Sequence, residues 1–106
     1  MIPLQTQLQL EELLVPKDNM DTSVIIYFTA SWCDACKKID LDRLQSIPAK
    51  PALTWYKCDV DVNKYSLGYC GLTRIPSFAF IKDGKFLGKF TSIDTGLVED
   101  MIKEYF

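Results

Sequence analysis

Residues 24–39 read VIIYFTASWCDACKKI. With Ser23 in front, the run 23–29 is continuous, short, and rich in β-branched and aromatic side chains, which predicts a buried central strand. Two cysteines three apart, Cys33 and Cys36, follow at once. Beyond them CKKIDLDRLQSI places Ile39, Leu41, Leu44 and Ile47 at helical spacing, until Pro48 and Pro51 close the segment. The pair therefore sits at a strand-to-helix junction. Residues three apart in a first helical turn have Cβ atoms roughly 5–6 Å apart, and a disulfide needs Cα atoms about 4.4–6.8 Å apart. Such a pair opens and closes with little backbone motion, as a redox switch requires. Partial positive charge at the helix start favours the Cys33 thiolate. Cys36, one turn in, is expected to be the more shielded and suits the resolving role.

Two other readings stay open at this point. Cys33 and Cys36 could join Cys58 and Cys70 around zinc, although those two are twelve apart and Cys58 lies in an apolar run. Cys33 and Cys36 could also be two inert core cysteines. The chain of 106 residues reads as one domain, 1–106, and its 48% apolar content is enough for a core without staples. There is no histidine, which removes any Cys–His hydrolase and the commonest general base. The net charge of −2 comes from interleaved lysines and acids, which gives no footprint for nucleic acid. No apolar run approaches the roughly 18 residues that span a bilayer. The N-terminal MIPLQTQLQLEELL lacks a basic start and an apolar stretch. The expectation is a cytoplasmic chain.

Outward from the motif, Thr6 is an N-cap for a helix over 7–15 that ends at Pro16. LTWYKCDV, 53–60, predicts a second buried strand, and Asp61 a cap for a helix over 62–70. Two apolar runs flank Asp83-Gly84, a strong hairpin signal, with arms Ser77–Lys82 and Lys85–Thr91. Asp94 caps a last helix with Leu97, Val98, Met101, Ile102 and Tyr105 on one face. Alternation followed by a hairpin implies an α/β chain with a mixed sheet and helices on both faces.

The motif WC-x-x-C after an apolar strand, Ile75-Pro76 before a hairpin strand, and KDG at the turn together resemble the thioredoxin family along nearly the whole chain. The resemblance implies a thioredoxin fold, a central mixed β-sheet flanked by four α-helices, with Pro76 cis and packed opposite the dithiol. It implies a protein dithiol–disulfide oxidoreductase that needs no bound cofactor or metal and has Cys33 and Cys36 as its catalytic pair. Trp32, Ala35 and Ile75 would form an apolar rim. The backbone of Ile75 would pair with an extended substrate segment. Packing over the helix start is an equally good reading of Trp32. Expected partners are disulfide-bearing proteins and a thioredoxin reductase or small-thiol reductant, with the chain a monomer that binds neither nucleic acid nor membrane. A more oxidising isomerase and a binding module with incidental redox chemistry are the rival functions.

Several residues depart from the family pattern. Asp34 and Ala35 replace Gly and Pro between the cysteines. Asp34 would disfavour the Cys33 thiolate by like charge, or else accept a helix N-terminal N–H. Tyr27 stands where the family usually has a buried aspartate six residues before the first cysteine. A phenol with a pKa near ~10 is no base at neutral pH. Lys57 matches the lysine that pairs with that acid, and in a strand core it would need another acceptor, such as the Tyr27 hydroxyl. Asp40 replaces a helix-kinking proline, and Ser92 replaces a glycine of the docking loop. Cys70 matches a regulatory cysteine of some animal thioredoxins whose pairing position is here Asn63; a plain thiol is the reading preferred for it, and core for Cys58.

Overall fold

The run Ser23–Thr29 is a strand buried at every position. Both its edges are paired, so its polar backbone is satisfied and its side chains feed two cores. The computed structural model describes residues 1–16 and 21–106. In chain order the elements are β1 (Ile2–Pro3), α1 (Gln7–Leu13), β2 (Ser23–Thr29), a single 3-10 turn (Ala35–Lys38), α2 (Leu41–Gln45), β3 (Leu53–Asp59), α3 (Ser66–Tyr69), β4 (Ser77–Lys82), β5 (Lys85–Thr91) and α4 (Thr95–Tyr105). The sheet order is β1-β3-β2-β4-β5. Strands β1 and β2 run parallel to β3, and β4 is antiparallel to β2 and β5. A five-stranded mixed sheet with four helices is the thioredoxin fold.

Alternation along the strands splits the interior in two. Ile25, Tyr27, Trp55, Phe78 and Phe80 face one side, with Leu44 of α2, Val98 and Ile102 of α4, and both Cys33 and Cys36. Val24, Ile26, Phe28, Ala79 and Ile81 face the other, with Leu10 of α1, Cys58 and Cys70. The hairpin arms lie where the sequence predicts them. Asp83 and Gly84 both take positive φ, 53° and 77°. The Asp83 carboxylate accepts the Thr22 N–H at 2.9 Å. A Cβ on Gly84 would lie 2.5 Å from the Val15 carbonyl oxygen, so the turn needs glycine there.

The structure differs from the sequence reading in several places. The helix over 7–15 ends at Leu13, although its cap is as expected: Gln9 N–H donates to Thr6 Oγ1 at 3.2 Å and Thr6 N–H to Gln9 Oε1 at 3.1 Å. The two-residue β1 is too short to show a pattern in the sequence. Strand β3 is only half-buried, with Trp55 and Cys58 covered and Lys57 exposed. Helix α3 begins at Ser66, and Tyr65 rather than Asp61 precedes it, with no side-chain cap. On α4, Val98 and Ile102 are buried, Met101 and Tyr105 half-buried, but Leu97 is exposed.

The segment after the cysteines is not one helix. Ile39 takes an extended ψ of 126° and breaks it. Asp40 then starts a new helix: its Oδ1 accepts the Arg43 N–H at 3.1 Å, and its own N–H donates to Thr95 Oγ1 at 3.0 Å. A carboxylate cap thus produces a break that a proline would otherwise make. Arg43 Nε donates to Glu99 Oε2 at 3.0 Å, which ties α2 to α4. Replacing Asp40 with Ala is expected to cost about 1 kcal/mol, the usual loss of a carboxylate cap. The check is a lower urea midpoint with an unchanged slope.

Candidate active site

Strand β2 stops at Thr29, and the Ala30 carbonyl immediately accepts the Cys33 N–H at 3.1 Å. That turn sets the cysteines at the edge of the core. Cys33 and Cys36 are disulfide-bonded, with Cα atoms 5.3 Å apart. The Cys36 N–H donates to Cys33 Sγ at 3.1 Å. A long helix was expected to supply the positive end here, but the element is a single 3-10 turn. The polarisation at Cys33 therefore comes from this one aimed N–H, together with the free donors of a short turn. Both cysteines are equally buried, so in the closed pair Cys36 is not the more shielded of the two.

Trp32 is exposed, and its indole N–H donates to Asp61 Oδ2 at 2.8 Å. Asp61 is held in turn by its own N–H, which donates to Asp59 Oδ1 at 2.9 Å. Sequence reasoning missed this role. The two residues are 29 apart in the chain, and only the fold brings them together. Asp34 projects into solvent beside Lys37, 3.4 Å away, and makes no cap bond with its side chain. At that exposure and distance the pair is worth little. Ala35 packs partly against the core that holds the disulfide. Ile75 lies between the two cores, and Pro76, joined to it by a cis peptide, is fully buried. Ser92 is tied to the start of α4, where its Oγ accepts the Asp94 N–H at 3.0 Å.

Beside the pair, an open cavity of about 290 Å³ at the surface is lined by Tyr27, Thr29, Cys33, Cys36, Lys37 and Lys57 among others. Tyr27 and Lys57 are register partners on β2 and β3. The Tyr27 hydroxyl donates to the Cys36 carbonyl oxygen at 3.4 Å, and its ring stacks on Phe78 with centroids 5.3 Å apart. Burial pushes the phenol above its ordinary value, while a hydrogen bond with the Thr29 side chain draws it partly back. A phenol raised in this way stays protonated at neutral pH. Lys57 is exposed, not in a strand core, so it needs no buried acceptor.

The four cysteines do not converge. Cys33 and Cys36 lie on one face of the sheet, Cys58 and Cys70 on the other. That separation rules out a four-cysteine zinc site. Burial pushes the Cys58 thiol up to about 12 and the Cys70 thiol up to about 11, the latter against a lowering by Lys89. Both are core thiols at neutral pH.

A redox pair of cysteines at the end of the central strand of a mixed sheet defines a thiol–disulfide oxidoreductase. The thioredoxin family model matches residues 8–104, and the chain belongs to that family. It is 33% identical over 102 residues to thioredoxin of Geodia cydonium, covering 94% of each chain. It is also 33% identical over 86 residues to mitochondrial thioredoxin-3 of Saccharomyces cerevisiae, covering 81% of this chain and 68% of that one. The crystal structure of Fasciola hepatica thioredoxin superimposes with a TM-score of 0.82 at 29% identity over 100% of both chains.

The raised thiols have a direct consequence. Folded Cys58 and Cys70 hold their protons more tightly than the unfolded chain does, where a thiol titrates near ~8.5. Their contribution to stability is complete below that value and is lost as pH rises toward about 11–12. The urea midpoint should fall between pH 8 and pH 10.5, and less steeply in a Cys58→Ala, Cys70→Ala variant. Iodoacetamide at pH 8 should label Cys33 of the reduced native protein and leave Cys58 and Cys70 untouched until denaturant is added.

Proposed function

We propose that the chain reduces protein disulfides, with Cys33 as nucleophile and Cys36 as resolving thiol. The observation that carries the assignment is the Cys36 N–H aimed at Cys33 Sγ at 3.1 Å, a donor that stabilises negative charge on that sulfur and not on its partner. Cys33 thiolate attacks a substrate disulfide, forms a mixed disulfide and expels one substrate thiolate. Cys36 thiolate then attacks Cys33 Sγ, closes the Cys33–Cys36 bond and expels the second. Two electrons pass to the substrate, and the two thiol protons end on its thiolates through solvent. A dithiol reductase or a small thiol returns two electrons and reopens the pair. The cycle suits a monomer in a reducing compartment, the cytosol in the first instance. Trp32, Asp34, Ala35, Ile75 and Ser92 form the rim on which the substrate lies, Ile75 offering its backbone to an extended segment and the buried Pro76 shaping the chain behind it.

The proton on Cys36 is the weak point of the cycle. Tyr27 cannot take it, and Asp34 points to solvent beside Lys37. Cavity water accepts it instead, with the Lys57 ammonium on the cavity wall favouring the thiolate. Turnover is therefore limited by resolution.

Mixing the reduced protein with insulin tests the roles. Cys36→Ser should accumulate a mixed disulfide that gel electrophoresis without reductant resolves, and Cys33→Ser should form none. The reverse pattern, or trapping by both, would overturn the assignment. Tyr27→Asp places a carboxylate on the cavity and should speed insulin reduction by about tenfold, short of the ~10²–10⁴ of a fully positioned base. A slower variant with an unchanged melting temperature would refute the proton argument.

A further inference from the structure

Edge strand β5 carries none of the cysteines, yet two of its side chains reach the loop that ends at Pro76. Lys89 Nζ donates to the Gly71 carbonyl at 2.6 Å, where that loop begins. Thr91, the register partner of Ser77, places its Oγ1 2.6 Å from Ser77 Oγ. Ser77 Oγ in turn donates to the Arg74 carbonyl. A hydroxyl has one proton to give, and a carbonyl oxygen can only accept. The Ser77 proton therefore lies toward Arg74, and the proton between the two hydroxyls is that of Thr91. The donors run one way, from Thr91 through Ser77 to the Arg74 carbonyl, and each bond of such a chain strengthens the next.

Ser77 is fully buried, so its hydroxyl needs a partner inside the protein, and the Arg74 carbonyl is enough. Thr91 is exposed, and water would satisfy its hydroxyl. Burial thus accounts for the first link and not for the second. What the second link adds is direction: it holds Ser77 as a donor to Arg74. The Arg74–Ile75 peptide is trans, so its carbonyl and the Ile75 N–H point in opposite directions. A carbonyl fixed on Ser77 fixes that N–H away from Ser77. Side chains alternate along β4, which puts Ser77 on the face of Ala79 and leaves Phe78 on the face of Cys33 and Cys36. The Ile75 side chain packs against the core that holds both cysteines. Among the described residues, neither the N–H nor the carbonyl of Ile75 has a backbone partner.

We propose that Thr91 and Ser77 are positioning residues for exchange with extended chains. Their hydroxyl relay holds the Arg74 carbonyl and so presents the Ile75 N–H to a main-chain carbonyl of the substrate segment that carries the disulfide. The inference rests on the disulfide-reducing function argued above. The relay touches neither sulfur, so it acts on the binding of chains that offer a backbone carbonyl and not on the exchange step.

The test compares insulin, which has main-chain carbonyls beside its disulfides, with 5,5′-dithiobis(2-nitrobenzoate), which has none. Thr91→Val keeps the β-branched shape and loses the hydroxyl, whereas Thr91→Ser keeps the hydroxyl and loses the methyl. Ser77→Ala is expected to raise the insulin KM about tenfold and Thr91→Val about threefold, the scale of one aimed hydrogen bond and of its reinforcement. For both, kcat on insulin and turnover of the small disulfide should be unchanged. The double variant should match Ser77→Ala, since the relay is already cut there, and Thr91→Ser should match the wild type. An unchanged insulin KM in Thr91→Val would overturn the inference, even if Ser77→Ala failed to fold. So would an equal loss on both substrates, or a defect in Thr91→Ser as large as that in Thr91→Val, which would make the methyl rather than the hydroxyl responsible. A wild type inactive on both disulfides would strike the underlying function itself, whereas an active wild type with unchanged variants strikes only the relay.

Discussion

Strand β2 is paired on both edges and buried on both faces, and the point where it stops determines where the disulfide lies. Its residues cannot slip by one position, because a slip would send Ile25 and Tyr27 to the far core and Val24, Ile26 and Phe28 to the near one. With that register held, the Ala30 carbonyl can receive Cys33 in one place only. The same register puts Tyr27 beside Lys57 and both beside the cavity. A chain this small has little other means of holding two sulfurs to the tolerance that disulfide exchange demands.

Much of this was legible before any coordinates, for physical reasons that differ from residue to residue. A strand buried on both faces reads as a continuous apolar run, and Asp83-Gly84 announces its turn through the backbone conformations those residues tolerate. Thr6 and Asp94 are local signals, since a cap acts within three residues. The failures share a cause. Asp40 carries the same cap chemistry, but the apolar spacing of Ile39, Leu41 and Leu44 runs through it and hides the break at Ile39. Asp61 looks like a cap, yet its carboxylate is taken by an indole 29 residues away. Lys57 looks buried because its strand is apolar, yet it is exposed in the fold even though β1 pairs with it. Each depends on a contact that chain-local pattern cannot contain.

The exchange of a buried acid for Tyr27 changes more than one group. A carboxylate in that cavity would carry charge and would need a partner or water. The phenol stays neutral and packs on Phe78, and its hydroxyl engages the Cys36 carbonyl. The site thereby gives up an internal base. It also gives up a negative charge near Cys36, which would have opposed the thiolate. These two consequences act in opposite directions on the second step. The missing base slows proton removal, whereas the missing negative charge no longer opposes the thiolate.

The inverted α3 fits the same economy. Asn63 and Ser66 satisfy one another and the Leu4 carbonyl, so their burial carries no large unpaired polar cost. Exposed Val62, Tyr65 and Tyr69, by contrast, are held out in water with no gain to the monomer. Residues scattered singly on a surface would need no explanation. Val62, Tyr65 and Tyr69 follow, in the chain, the carboxylate that pins Trp32. Exchange chemistry at a small dithiol is indifferent to the rest of its substrate, so discrimination has to come from contacts made away from the sulfurs.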